Sequence, residues 1–151
     1  LTTSDSAAAA TITARTGTGN WSTTNSDDNK QYINGTGGTY DSHSYYSYGA
    51  AQAVCPKGWR PPTNAEHGYI QSFMGGNNST GSSKIRGTPY NYVYGGGFYS
   101  SGWGSVGSLG LYWSSTQYSS TNGYNLYFDS SNLYANYYNK NLGFSVRCVS
   151  S

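Results

Sequence analysis

Charge is what this sequence has least of. Only 9% of its 151 residues are Asp, Glu, Lys or Arg, and the formal net charge is +2. So weak a field offers nucleic acid no basic surface and anionic lipid no polybasic patch. Apolar runs are short as well, none near the roughly 20 residues that a membrane-spanning helix needs. No membrane insertion is expected of this chain. No secretory leader is visible, and the first residue is Leu1 rather than Met, as expected of a piece processed or excised from something longer. Cysteine is nearly absent. Cys55 and Cys148 lie too far apart for a local CxxC redox or zinc motif. In so surface-like a composition they are expected to form one disulfide, the alternative being two buried thiols. A disulfide implies an oxidising, extracellular or cell-surface location.

Groups for catalysis or metal binding are equally scarce. The two histidines are His43, in a Ser/Tyr-rich stretch, and His67, which follows Glu66 directly rather than in an HExxH frame. Asp27-Asp28, inside Asn25-Ser26-Asp27-Asp28-Asn29, has the oxygen ligands of a calcium loop but reads more simply as a polar turn. No catalytic residue, metal or cofactor is assigned, and the chain is not expected to be an enzyme. Asn20, Asn34, Asn77 and Asn78 each begin an N-x-Ser/Thr sequon, to which no role is given.

What is abundant is Tyr, Gly, Ser, Thr and Asn. Low charge with small polar residues can mean disorder, but an aromatic content of 17% argues for a packed core. Residues 1–151 fit one domain, with 1–44 its less legible part. In that part the alanine run 7–10 and Gly17/Gly19 suggest an irregular or strand-bearing edge, and Gly35, Gly37 and Gly38 a loop. Tyr45, Tyr46 and Tyr48 suggest a strand running into a short helix or turn over 48–53. The prolines of 55–64 predict an extended, turned segment, and Thr63 or Asn64 an N-cap for a helix over 65–74. Ile70, Phe73 and Met74 mark its expected buried stripe, and Gly75-Gly76 its end. Residues 77–111 read as a long Gly/Ser/Tyr-rich loop anchored by Val93, Phe98, Trp103, Val106 and Leu111. Beyond it, Leu126 and Phe128 alternate with Asn125 and Tyr127, and Leu133 and Ala135 with Tyr134 and Asn136. Such alternation predicts half-buried antiparallel strands with one face in water. Phe144, Val146 and Cys148 share a face in the last segment. The fold class is therefore α+β, mostly antiparallel β, with few short helices and long Gly/Ser/Tyr-rich loops.

Three ordered motifs carry a family resemblance. Cys55-Pro-Lys-Gly-Trp-Arg-Pro-Pro-Thr-Asn-Ala-Glu66, Tyr112-Trp-Ser-Ser-Thr116 and Gly143-Phe-Ser-Val-Arg-Cys148 resemble the Fibrobacter succinogenes major paralogous domain, from about Tyr45 onward. The resemblance implies a C-type lectin-like fold on a prokaryotic surface protein. It implies structural work for the motif residues: Trp59 and Trp113 in the core with Leu126, Phe128, Phe144 and Val146, and Arg60 and Arg147 bonded to carbonyls and a carboxylate. The family usually carries a leucine at Pro61 and an aromatic at His67. The calcium–sugar motifs of true C-type lectins are absent, so calcium-dependent sugar binding is not expected. Some similar domains are variable proteins of diversity-generating retroelements, which mutagenise adenines near the 3′ end of their gene. Enrichment in Tyr, Asn and Ser between positions 117 and 141 is what that process leaves.

Rigid Tyr beside adaptable Ser, Gly and Asn is also the composition of a binding surface. The expected recognition set is Tyr118, Asn122, Tyr124, Asn125, Tyr127, Asn132, Tyr134, Asn136, Tyr138 and Asn139. Its expected ligand is a protein or glycan on another cell, virus or surface. The alternative is a pilin-like or filament subunit, or adhesin, of a prokaryotic cell surface.

Overall fold

The computed structural model describes residues 44–99 and 102–151, with the backbone alone of 13–15, 31–34 and 102–103. The alanine run 7–10, Gly17/Gly19, Asn20, Trp21, Asp27-Asp28, Gly35, Gly37, Gly38, His43 and the Trp103 side chain lie outside the described residues. Strand β1 (Thr13–Arg15) pairs parallel with β2 (Gln31–Asn34), which pairs antiparallel with β3 (Ser44–Tyr46). Helix α1 (Tyr48–Val54) follows at once, with Ser47 as N-cap accepting from the Ala50 amide. Its Gly49, Ala50 and Ala51 are buried, and their small size lets the helix lie close against the core.

Strand β4 (Trp59–Arg60) leads to helix α2 (Asn64–Met74). Thr63 caps α2 reciprocally with Glu66: the Glu66 amide donates to Thr63 Oγ1 at 3.1 Å, and the Thr63 amide to Glu66 Oε1 at 2.9 Å. Arg60 forks onto the same carboxylate at 2.5 and 3.0 Å. Hydrogen bonds from Arg60 and then Thr63 hold the Glu66 carboxyl down to about 2. Gly75, with φ +116°, closes the helix in the left-handed conformation. The cap and stop stand as expected; the buried stripe does not. His67 and Met74 are buried and Phe73 is exposed. Residues 67, 70 and 74 share one helical face, and Phe73 lies on its flank.

The stretch 77–111 is not one long loop. Asn78 caps helix α3 (Ser79–Arg86), whose single large apolar residue, Ile85, is fully buried. Strands β5 (Gly97–Tyr99) and β6 (Gly102–Gly104) form a hairpin. Of the expected anchors, Phe98 and Leu111 are buried, while Val93 and Val106 are half-buried.

The central sheet is an antiparallel meander of β7 (Gly110–Gln117), β8 (Asn122–Phe128) and β9 (Leu133–Asn139). Here the expectation of one solvated face fails, because both faces pack. One face meets α1 and the Tyr46 segment in a core of Tyr48, Val54, Leu111, Trp113 and Phe144. The other meets α2 and α3 in a core of Met74, Ile85, Tyr112, Leu126, Phe128 and Leu133. Alternation still sorts the side chains, but it sorts them between two cores.

The last segment joins the parts. Gly143 bridges Phe98, Phe144 bridges Tyr46, and Ser145 bridges Tyr112, so three consecutive residues touch three different strands. Strand β10 (Val149–Ser150) then pairs with β4. A disulfide joins Cys55 to Cys148 across 93 positions, as expected, with the Cα atoms 5.9 Å apart. Trp113 is fully buried and donates its indole N–H to the Tyr46 carbonyl at 2.7 Å. Trp59, by contrast, is 51% exposed. It lies on a two-residue strand whose only sheet neighbour among the described residues is β10, so the expected core position is corrected. Val146, also expected in the core, is half-buried because the segment leaves the bridges after Ser145.

Candidate functional site

The site is built where β7 departs from regular pairing. Between Trp113 and Gln117 its register to β8 shifts. Ser114 Oγ fills the irregularity, donating to the Tyr124 carbonyl at 2.8 Å and accepting from the Thr116 amide at 3.1 Å. The bulge carries the strand toward the start of α2: the Ser115 amide donates to the Pro62 carbonyl, and the Asn64 amide to Thr116 Oγ1 at 3.0 Å. The turn that follows is tied by Ser119 Oγ, which accepts from the amides of Thr121 and Asn122. Tyr118 is thereby fixed at the head of the hairpin. Gly123 is required beneath it, because a Cβ there would overlap the Tyr48 ring.

Pairing of β8 with β9 divides the recognition set. Asn122, Tyr124, Leu126 and Phe128 oppose Asn139, Tyr137, Ala135 and Leu133 on one face. Gly123, Asn125 and Tyr127 oppose Tyr138, Asn136 and Tyr134 on the other. The ten positions therefore do not converge on a single patch.

On the first face lies an aromatic cluster. Tyr118 and Tyr137 stack with centroids 3.9 Å apart and planes inclined by 4°. Tyr124 meets both edge-on, at 5.4 and 6.3 Å. Tyr118 is 48% and Tyr137 45% exposed. Hydrogen bonding with the Tyr137 hydroxyl pushes the Tyr118 phenol above its ordinary value. Asn122 is half-buried beside it and Asn139 exposed. Tyr137 was not expected here. By alternation it belongs with Leu133 and Ala135, and the buried face they define becomes exposed before the strand reaches it.

The second face holds scaffold. Asn125 is 0% exposed, and neither atom of its amide has a protein hydrogen-bond partner. Its place on a recognition surface is corrected: Trp113 and Asn136 flank it in register, and the core closes over it. Tyr127, Tyr134 and Tyr138 are half-buried. Tyr127 packs 5.0 Å from Tyr134, and Tyr138 lies 5.6 Å from Phe144. Burial first, then its hydrogen bond to Asp129, pushes the Tyr127 phenol up to about 12. Asn136 accepts from the Tyr137 amide at 2.9 Å. Asn132 is in the β8–β9 turn, its amide donating to both oxygens of Asp129 at 3.0 and 3.2 Å. Burial pushes the Asp129 carboxyl up, but hydrogen bonds from Ser131, Asn132 and Tyr127 outweigh it and hold it below its ordinary value.

Residues 2–150 match the Fibrobacter succinogenes major domain. The chain belongs to that family. No curated protein and no solved structure matches it. Within this major domain, the motif residues do mechanical work: Trp113 locks β7 to β3, Ser114 shapes the bulge, and Cys55 and Cys148 tie α1 to the last segment. Arg60 serves the scaffold as expected. Arg147 does not: its guanidinium lies 4.4 Å over the Tyr92 ring and has no hydrogen-bond partner among the described residues. No described helix is long and apolar enough to cross a membrane.

Proposed function

We propose that this major domain is the ligand-binding module of a surface-displayed prokaryotic protein with a C-type lectin-like fold. It binds through Tyr118, Tyr124 and Tyr137, with Asn122 and Asn139 at their edge. The observation that carries this reading is the parallel Tyr118–Tyr137 stack, held edge-on by Tyr124 and nearly half exposed. Contiguous exposed aromatics mark interaction sites more often than they stabilise a fold. Rigid rings lose little conformational entropy on binding, and neighbouring amides supply directional hydrogen bonds. A platform of stacked rings and hydroxyls suits a neutral polar partner, a glycan or a protein surface.

Diversification by a retroelement belongs to the same reading, supported by the Tyr, Asn and Ser enrichment between positions 117 and 141. A near-identical template repeat beside the gene, differing only at adenines, is the expected genomic signature. The binding test is a screen of immobilised glycans and surface proteins with wild type and a Tyr118→Ala/Tyr137→Ala variant. The variant is expected to keep its fold and lose at least about tenfold in affinity for any partner found, as truncated hot spots do. Unchanged affinity in the folded variant would overturn the site. A filament subunit would bury the same rings against a neighbour, and concentration-dependent polymerisation blocked by the variant would favour that alternative.

A further inference from the structure

A second aromatic surface lies on the outer flank of α2, separate from the Tyr118 platform in residues and in chemistry. Tyr69 and Phe73 are one helical turn apart, 73% and 54% exposed, and stack at 6.4 Å with planes inclined by 18°. Phe73 meets Tyr90 edge-on at 6.2 Å. Between them opens a cavity of about 220 Å³, lined by these three rings together with Ile70, Met74, Tyr92 and Arg147. Six of those seven side chains are apolar or aromatic, and the seventh is a cation. No acid lines the cavity among the described residues.

The state of Arg147 gives the cavity a direction. Arg60 spends its guanidinium on Glu66, and Arg86 donates to the Ser82 carbonyl while lying over Tyr94. Among the described residues Arg147 has only the face of Tyr92, which meets its charge but none of its five N–H donors. Lys84, 5.1 Å over the Phe73 ring, adds a second positive charge at the rim. An apolar cleft with one convergent polar group is the usual form of a small-molecule site. At about 220 Å³ it is smaller than the pockets that enclose drug-sized ligands, so its occupant has one ring.

We propose that this cleft is a second binding site, for a small aromatic carboxylate. The ring lies against Phe73, Tyr69 and Tyr90, and the carboxylate accepts the fork of Arg147. Planar carboxylates match a guanidinium in geometry as well as in charge.

Phenylacetate and its uncharged analogue phenylacetamide, titrated by NMR, provide the test. Wild type is expected to bind phenylacetate saturably and phenylacetamide at least about tenfold more weakly, the usual size of a hydrogen bond to a charged group. Added salt should weaken the first and leave the second unchanged. Arg147→Gln should remove the preference, whereas Phe73→Ala, at an exposed position, should weaken both probes equally. Tyr118→Ala/Tyr137→Ala should leave phenylacetate binding unaltered, so this site and the proposed recognition platform stand or fall separately. Absence of saturable binding, equal affinity for the two probes, or no salt effect in wild type would each overturn the proposal. The salt and analogue arms need no variant, so they decide the matter even if Arg147→Gln fails to fold.

Discussion

An amide buried without a partner costs a protein the hydration it gave up, with nothing gained in return. Asn125 is in that position, in the middle of β8 with neither amide atom hydrogen-bonded to protein. Replacing such a group by an apolar one of similar volume is neutral to stabilising. Asn125→Val, which also suits a strand, should therefore raise stability by about 1 kcal/mol and the thermal midpoint by about 2–4 °C. A lowered midpoint would mean that the amide has a partner, such as a bound water, that the protein needs. His67 is a second buried polar group whose cost depends on pH. It is 1% exposed, its Nδ1 has no partner, and burial pushes its pKa from 6.5 down to about 4 against the opposing pull of Glu66. The unfolded chain thus takes up a proton near pH 6.5 that the folded one refuses until about pH 4. The stability from keeping His67 neutral is fully present above pH 6.5 and declines as pH falls toward 4. Between pH 7 and 5, where carboxylates still contribute little, the loss should be about 2 kcal/mol. His67→Phe, which removes the titrating group and keeps a ring in the site, should flatten that interval in urea titrations. Parallel pH profiles for the two proteins would remove the account.

At the scale of elements, what could be read depended on whether the local signal was chemical or tertiary. Helix α2 announces itself with an N-cap candidate, Thr63 or Asn64, at one end and a glycine pair at the other, and the structure uses Thr63 and Gly75. Helix α3 has only Ile85 to show its period among Ser, Thr and Gly, so it read as loop. Its cap, Asn78, was noticed only as a sequon. Strands β8 and β9 were legible by alternation, which sorted Leu126, Phe128 and Leu133 correctly onto one face; their register comes from the structure. Alternation cannot say whether the polar face meets water or a second core. A tyrosine suits either, since its ring packs and its hydroxyl bonds, as Tyr127 shows against Asp129. So a sequence rich in Tyr concealed a sheet buried on both sides, and Asn125 was placed outside when it is inside. The aromatic platform was half legible: Tyr118 and Tyr124 were expected at the surface, whereas Tyr137 was not among the expected positions. Its exposure depends on where the cover over the β9 face stops, which no residue of β9 encodes. Arg147 was assigned to the scaffold together with Arg60, as a motif residue, and only the packing around Tyr92 shows the difference.

For the molecule as a whole, cohesion rests on few residues near the end of the described chain. Three bridges at Gly143, Phe144 and Ser145 reach β5, β3 and β7, and β10 pairs with β4 over two residues. Short ladders of this kind hold little by themselves, since two- and three-residue pairings bury few groups. The Cys55–Cys148 disulfide fixes the segment at the point between them, closing a loop of 93 positions from the end of α1 to the residue before β10. On the chain-entropy argument such a closure stabilises by about 4 to 5 kcal/mol, chiefly by restricting the unfolded chain. Reduction should therefore lower the urea midpoint strongly while leaving the folded core near Trp113, held by Tyr48, Phe144 and the Tyr46 carbonyl, intact in native conditions. The slope of the transition should rise, because the reduced unfolded chain is less compact and exposes more surface. A Cys55→Ser/Cys148→Ser variant should match the reduced protein in midpoint and slope, which separates the covalent constraint from side effects of the reductant. If oxidised, reduced and variant proteins unfold at one midpoint, the bridges and the two cores hold the last segment without the disulfide.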